Sequence, residues 1–216
     1  MNPIRRVALP FALTFALGST AIAARSEVRS VSFHFTPTNQ VDSTRPALPP
    51  LVSTVPLRVQ VVDGRAEGSR DVLGTWTTDD DRILALPLAQ DLLPELDRAM
   101  ALEGASWGVP MTEGAAERVL TVTLLQATVS ELNKAVGASY RGSLNLQGSL
   151  EARDGSLLWS GYASGEASRY GRAASDANVC EVLSDALVEA WAAMLGSQTL
   201  QVAWVGDAPA ATIPSP

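Results

Sequence analysis

Residues 140–167 alternate more strictly than any other part of the chain, and they restrict the fold to one built on an antiparallel hairpin. Leu144, Leu146, Gly148, Leu150 and Ala152 fall on one face of an extended strand. Ser143, Asn145, Gln147, Ser149, Glu151 and Arg153 fall on the other. Asp154-Gly155 follows, the residue pair favoured in a two-residue turn because both central positions need positive φ. That turn pairs Arg153 with Ser156, and so sets Leu150 opposite Trp159 and Gly148 opposite Gly161 on the apolar side. Two facing glycines remove side-chain bulk, so a helix is expected to cross closest there. The return strand is polar on its other face (Ser156, Ser160, Tyr162, Ser164, Glu166) apart from Leu158. A sheet patterned in this way is covered on one side only.

Two helices supply the cover. Leu88, Leu92, Leu96, Ala99 and Met100 form one stripe, ending near Gly104. Pro94 admits two accounts: a kink, or a start with Asp91 as N-cap that puts the proline in the first turn, where its missing N–H costs little. The second helix is capped by Ser175 or Asp176 and buries Val179, Leu183, Ala186, Leu187, Ala190, Trp191 and Met194 on its way to Leu195. Strands are expected at residues 27–35 (Val31, Phe33 and Phe35 inward), at 57–63, at 83–86 and at 118–129. The last is central, because residues 119–125 are apolar on both faces. Residues 67–81 read as irregular, with Trp76 exposed or folded over an edge, and Leu200, Val202 and Trp204 as a short extra strand. The expected class is α+β: a two-layer sandwich of a mostly antiparallel sheet with two helices packed on one face.

The ends of the chain read differently. Arg5 and Arg6, an apolar stretch over residues 7–17 and Ala21-Ile22-Ala23 have the three-part form of a signal peptide, with cleavage after Ala23. The stretch is shorter than the roughly 20 residues that span a bilayer. The division is then 1–23 signal peptide, 24–54 N-terminal strand and Pro-rich linker, 55–205 α+β domain and 206–216 disordered tail. Removing residues 1–23 takes the formal charge from −7 to −9, since both basic residues there are lost and no acid. An acidic domain without a basic cluster argues against nucleic acid and against electrostatic docking on anionic lipid, leaving membrane association only indirect. Cys180 is the single cysteine. No internal disulfide is possible, and a half-buried helical thiol is expected, with pairing between chains the sharper alternative.

Catalytic constellations are not legible. Gly104-Ala105-Ser106-Trp107-Gly108 matches the G-x-S-x-G elbow, but that mechanism needs a strand before the serine and a histidine after it. Here a helix precedes Ser106, and the one histidine is His34, read as a surface strand residue. Residues 79–81 are three aspartates without the ligand spacing of a calcium loop and read as a solvated turn. No metal site, cofactor or catalytic residue is assigned.

The strand ending Val61-Val62-Asp63-Gly64-Arg65, an irregular polar stretch, the helix from Leu88 to Glu103 with Gly104 and a strand after it, the hairpin and the closing helix resemble the YajG-like lipoprotein family over residues 55–200. The auxiliary lipoproteins of ABC-type transport systems share a similar plan. Members of the YajG-like family are tethered to the outer membrane through a cysteine after the signal peptide. Residues 16–24 hold none, which implies a soluble periplasmic or secreted form. The resemblance implies no catalytic residues. The expectation is a non-catalytic cell-envelope domain that binds an envelope protein partner or stabilises an assembly, with Trp76, Leu158 and Tyr162 as the candidate partner surface. An accessory role in ABC-type lipid transport is the alternative, requiring an apolar groove between helices and sheet; a hydrolase is the weakest reading.

Overall fold

The computed structural model describes residues 29–36, 55–78 and 80–206; the expected signal peptide (1–23), residues 37–54 of the expected linker and all but Gly206 of the expected tail (206–216) lie outside them. Six strands form one mixed sheet: β1 Leu57–Asp63, β2 Val72–Thr77, β3 Ile83–Pro87, β4 Arg118–Asn133, β5 Ala138–Ala152 and β6 Leu157–Gly171. The helices are α1 Leu93–Ser106, α2 Asp176–Leu195 and α3 Gln198–Val205. Neighbours along the sheet run β3-β2-β4-β5-β6, and β1 lies parallel against the first half of β4. The fold is α+β, as the hydrophobic periods require.

β4 organises the sheet because of its length. Sixteen residues reach roughly 53 Å at about 3.3 Å each, enough for two short strands to share one edge. β1 pairs with Arg118 to Leu124 and ends where the Gly64 N–H bonds the Leu124 carbonyl. β2 then takes up the edge at Val129 and Ser130. Gly74 permits this approach, since a Cβ there would lie 1.9 Å from the Val129 oxygen.

All three helices pack on the face carrying Leu120, Val122, Leu124, Leu144, Leu146 and Leu150, which are fully buried. β4 is central as expected, but its second face is not covered: Leu125 and Leu132 are exposed. Pro94 lies in the first turn of α1, as the second account has it, but the N-cap is Leu92 rather than Asp91, whose carboxylate accepts from the Leu93 N–H just before the helix. Ser175 caps α2 through the Asn178 N–H. Its buried surface is wider than the expected stripe because an extended segment, Arg29 to Thr36, lies against it. Val31, Phe33 and Phe35 are buried there, each contributing about 1.5–3 kcal/mol. That segment makes one isolated bridge, Val31 to Leu88, rather than the strand expected. Its other bonds are to side chains: Phe35 N–H to Glu95, Thr36 N–H to the Ser184 hydroxyl, and the Phe33 carbonyl from Gln90.

Further expectations change. Residues 72–77 form β2, so Trp76 is not exposed but buried in the core. Residues 198–205 form α3 instead of a strand: Leu200, Ala203 and Trp204 are buried at helical spacing and Val202 is exposed. The hairpin loop has three residues, closed by Gly155 N–H to Ala152 O and Ala152 N–H to Ser156 O. An irregularity at Leu158 then restores the register, so Leu150 does face Trp159 and Gly148 does face Gly161. The helix nevertheless comes closest elsewhere. A Cβ on Gly165 would lie 2.0 Å from the Ala186 oxygen in α2, whereas the Gly148–Gly161 notch is filled by the Trp159 ring.

Candidate functional site

The uncovered sheet face is the largest feature that packing leaves unexplained. Because strand side chains alternate, β4, β5 and β6 each send every second residue to it. Thr121, Thr123, Thr128 and Ser130 come from β4; Ser139, Ser143, Asn145, Gln147 and Ser149 from β5; Ser160, Ser164 and Ser168 from β6. Hydrogen bonds tie neighbours together, Thr128 to Ser143 at 2.8 Å and Asn145 to Gln126 at 2.9 Å. Between Arg141 and Glu166 the surface dips into an open depression of about 700 Å³ with Thr75 and Gly142 in its wall.

Two rows of the register carry exposed apolar side chains at their ends, with polar residues between them. Strand register lines up Val62, Thr123, Gln147 and Tyr162, and Tyr162 is 74% exposed. At the far end the register lines up Leu132, Ser139 and Tyr170. Of the three residues expected to form a partner surface, Tyr162 alone is open on this face. Leu158 is half-buried, packed against the core, and Trp76 is buried with the Arg29 guanidinium 5.5 Å from its ring centroid, a cation–π contact. The structure does not bring the three together. The rows are hidden in the sequence because they cross strands, and the β4–β5 register has no turn signal as plain as Asp-Gly.

The remaining candidates resolve into structural roles. Ser106 is the last residue of α1 and donates to the Glu103 carbonyl. His34 is exposed. Cys180 is buried, its thiol donating to the Ser32 carbonyl, and burial pushes its pKa up; a thiol so placed is not presented to a second chain. Asp80 bonds Thr78 and Arg82 within the β2–β3 turn. Among the described residues no group of three metal-ligating side chains forms.

Asp63 and Arg65 make a largely buried ion pair outside the sheet face. The guanidinium grips both carboxylate oxygens, at 3.0 and 2.8 Å, a geometry open to Arg but not Lys. Hydrogen bonding by Arg65 holds the Asp63 carboxyl below its ordinary value of 3.8, against the opposing effect of burial. A carboxyl depressed on folding stabilises the fold above its unfolded value and loses that contribution as pH falls through the folded one. Asp63→Asn is therefore expected to lower the melting temperature at neutral pH and to shrink the loss seen in wild type below about pH 4. Thermal melts across that range check it, and parallel profiles for the two proteins would contradict it.

No family model matches the sequence, and no curated protein is similar to it in sequence. Solved structures are similar in fold. A Xanthomonas campestris protein described by the family model DUF330 aligns at TM-score 0.50 and 13% identity, over 80% of this chain and 94% of that one. A minor lipoprotein from Acinetobacter baumannii aligns at TM-score 0.35 and 10% identity, over 68% and 91%. At such identities the likeness of the first is one of fold.

Proposed function

We propose that this chain is a non-catalytic domain of the bacterial cell envelope, exported to the periplasm, that presents its uncovered sheet face to a protein partner. One observation carries the reading: every described helix packs on one side of the sheet, leaving a long ordered face of hydroxyls and amides, with exposed Val62, Tyr162, Leu132 and Tyr170 among them, turned outward. Rigid strands hold such side chains at fixed spacing, which favours recognition by shape and hydrogen bonding over chemistry. Export follows from the signal-peptide pattern of residues 1–23. The kinship proposed is with YajG-like lipoproteins, in a form without the anchoring cysteine. The space between helices and sheet, where a lipid groove would lie, is filled by Leu183, Trp191 and Met194 among others.

The test places a photo-crosslinking residue at Gln147, in the middle of the face, and at Gly68 on a surface turn in the native envelope. A discrete adduct from position 147 and none from 68 is expected. Equal labelling from both, or none from 147, would sink the proposal.

A further inference from the structure

A sheet edge left unpaired is a template for another strand, so folded proteins cover, bend or charge their edges. Two edges of this sheet are treated in that way. The outward N–H of Glu166 on β6 bonds the Glu189 carboxylate at 2.9 Å. The end of β3 lies under Val31, whose N–H bonds the Pro87 carbonyl. β1 is different. Its parallel pairing with β4 uses alternate residues, and Leu57 shows which way the others face. The Leu57 N–H bonds the Pro110 carbonyl, and its carbonyl accepts from the Thr112 N–H, both away from β4. Met111 thereby makes a parallel bridge to Leu57, and the segment turns off after Thr112, whose hydroxyl accepts from the Gly114 N–H. Val59 and Val61 keep the orientation of Leu57, and among the described residues nothing bonds their N–H or C=O groups on this side.

The line that the segment vacates opens into a groove of about 650 Å³ between β1 and α1. The helix runs antiparallel to the strand: Met111, beside Leu57, packs on Gly104 at one end, and Leu93 shares a hollow with Asp63 at the other. Leu93, Asp97 and Ala101 form the helix side of the groove, each about 6 Å from the next along the axis. A strand places alternate side chains about 6.6 Å apart, so the two repeats match. Val59, Val61 and Met111 are half-buried and make the floor apolar. Asp97 is exposed, and among the described residues it has no ion-pair partner. Of the other charges at the groove, Glu113 adds to that of Asp97, and Arg58 stands with Gln60 on the opposite face of β1.

We propose that this groove takes an extended peptide segment of another protein, added as a strand to β1, with apolar, basic and apolar residues at alternate positions. Its main chain exchanges hydrogen bonds with Val59 and Val61, in line with Met111. Its outer side chains lie against Ala101 and Met111 at one end and against Leu93 at the other, and the cation between them meets Asp97. Main-chain pairing supplies affinity for any extended segment, while the alternate side-chain positions select the sequence. The site is separate from the open sheet face and depends neither on that face nor on export.

The test titrates the blocked heptapeptide Ser-Val-Thr-Lys-Thr-Val-Ser, to about 1 mM, into the isotope-labelled full chain and follows backbone amides by NMR. The Val59 and Val61 amides are expected to exchange freely in the protein alone, and to shift and gain protection with the peptide. Of two peptides N-methylated at alternate residues, one should lose binding and the other keep it, because only one row of N–H groups faces β1. Asp97→Lys should weaken binding about fivefold, and a central Glu in the peptide should restore it. Val61→Pro removes a donor that β4 does not use, and should also weaken binding about fivefold with the melt still cooperative. Protection of Val59 and Val61 in the protein alone would mean that this chain or a second copy already covers the edge, and would overturn the proposal. So would the absence of shifts, shifts centred away from β1, or equal binding of the two N-methylated peptides. A negative result leaves the crosslink from position 147 untouched, so the two readings fail separately.

Discussion

Gly165→Val is expected to destabilise the protein by about 3 kcal/mol, the upper part of the usual range for overpacking, lowering the melting temperature by roughly 6–12 °C in a domain of this size. The cause is backbone against backbone. A Cβ at residue 165 would sit 2.0 Å from the Ala186 carbonyl oxygen and 2.6 Å from the Ala190 nitrogen. Neither atom belongs to a side chain that can rotate away, so α2 must lift from β6. That movement strains the contacts of Ala186 and Ala190 and the pairing of Arg169 with Glu181 and Asp185. Gly68→Val is the matched control, since nothing lies within 4 Å of its added Cβ. Thermal unfolding of both variants measures the difference; similar melting temperatures would show that the helix has slack the packing does not reveal.

Glu131→Ala is the second substitution with a large expected effect. The carboxylate is buried on β4, accepts from the Ala174 N–H at 2.6 Å and is ion-paired with Arg29. Ala174 has positive φ, 53°, a conformation that costs a non-glycine residue energy and is held in place by contacts such as this one. Removing the carboxylate leaves a backbone N–H unsatisfied and a guanidinium with Asp176 alone. Losing one partner of a buried pair costs about 3–5 kcal/mol. Glu131→Gln keeps an acceptor for Ala174 while losing the charge, and should fall between. Amide exchange would show the change first in residues 31–36, whose N-terminal fastening is Arg29. If Glu131→Ala unfolds within about 0.5 kcal/mol of wild type, the network does not hold this end of the fold together.

How much of this was legible in the sequence depends on whether a signal was local. The hairpin register was readable from alternation and one Asp-Gly, even though the loop proved to have three residues and an irregularity at Leu158 restored the pairing. α2 was readable because Ser175 caps it and its apolar stripe has helical period. Residues 72–77 were not, because Gly74 and two polar threonines hide the alternation; the strand exists by fitting against Val129 and Ile83. Without β2, Trp76 had no visible home. α3 was misread for the opposite reason. Leu200, Val202 and Trp204 alternate well, yet Leu200 and Trp204 are also one helical turn apart, and Ser197 caps that turn. The candidate face was half legible: its hydroxyls and amides on β5 are plain in the sequence, but the alignment of Val62 with Tyr162 across it arises only when four strands are set in register.

The buried segment at Arg29 to Thr36 has a consequence in time. Its partners come late in the chain: the Ser32 carbonyl meets Cys180, 148 residues on, and Thr36 meets Ser184. A chain that crosses a membrane amino-terminus first exposes Val31, Phe33 and Phe35 before the helix that shelters them has emerged. Contacts of such long sequence separation form slowly, and apolar side chains waiting for them are open to aggregation. On the export proposed above, the earliest part of this domain to arrive is among the last to settle, and a chaperone that holds unfolded chains there would find its binding site in this segment.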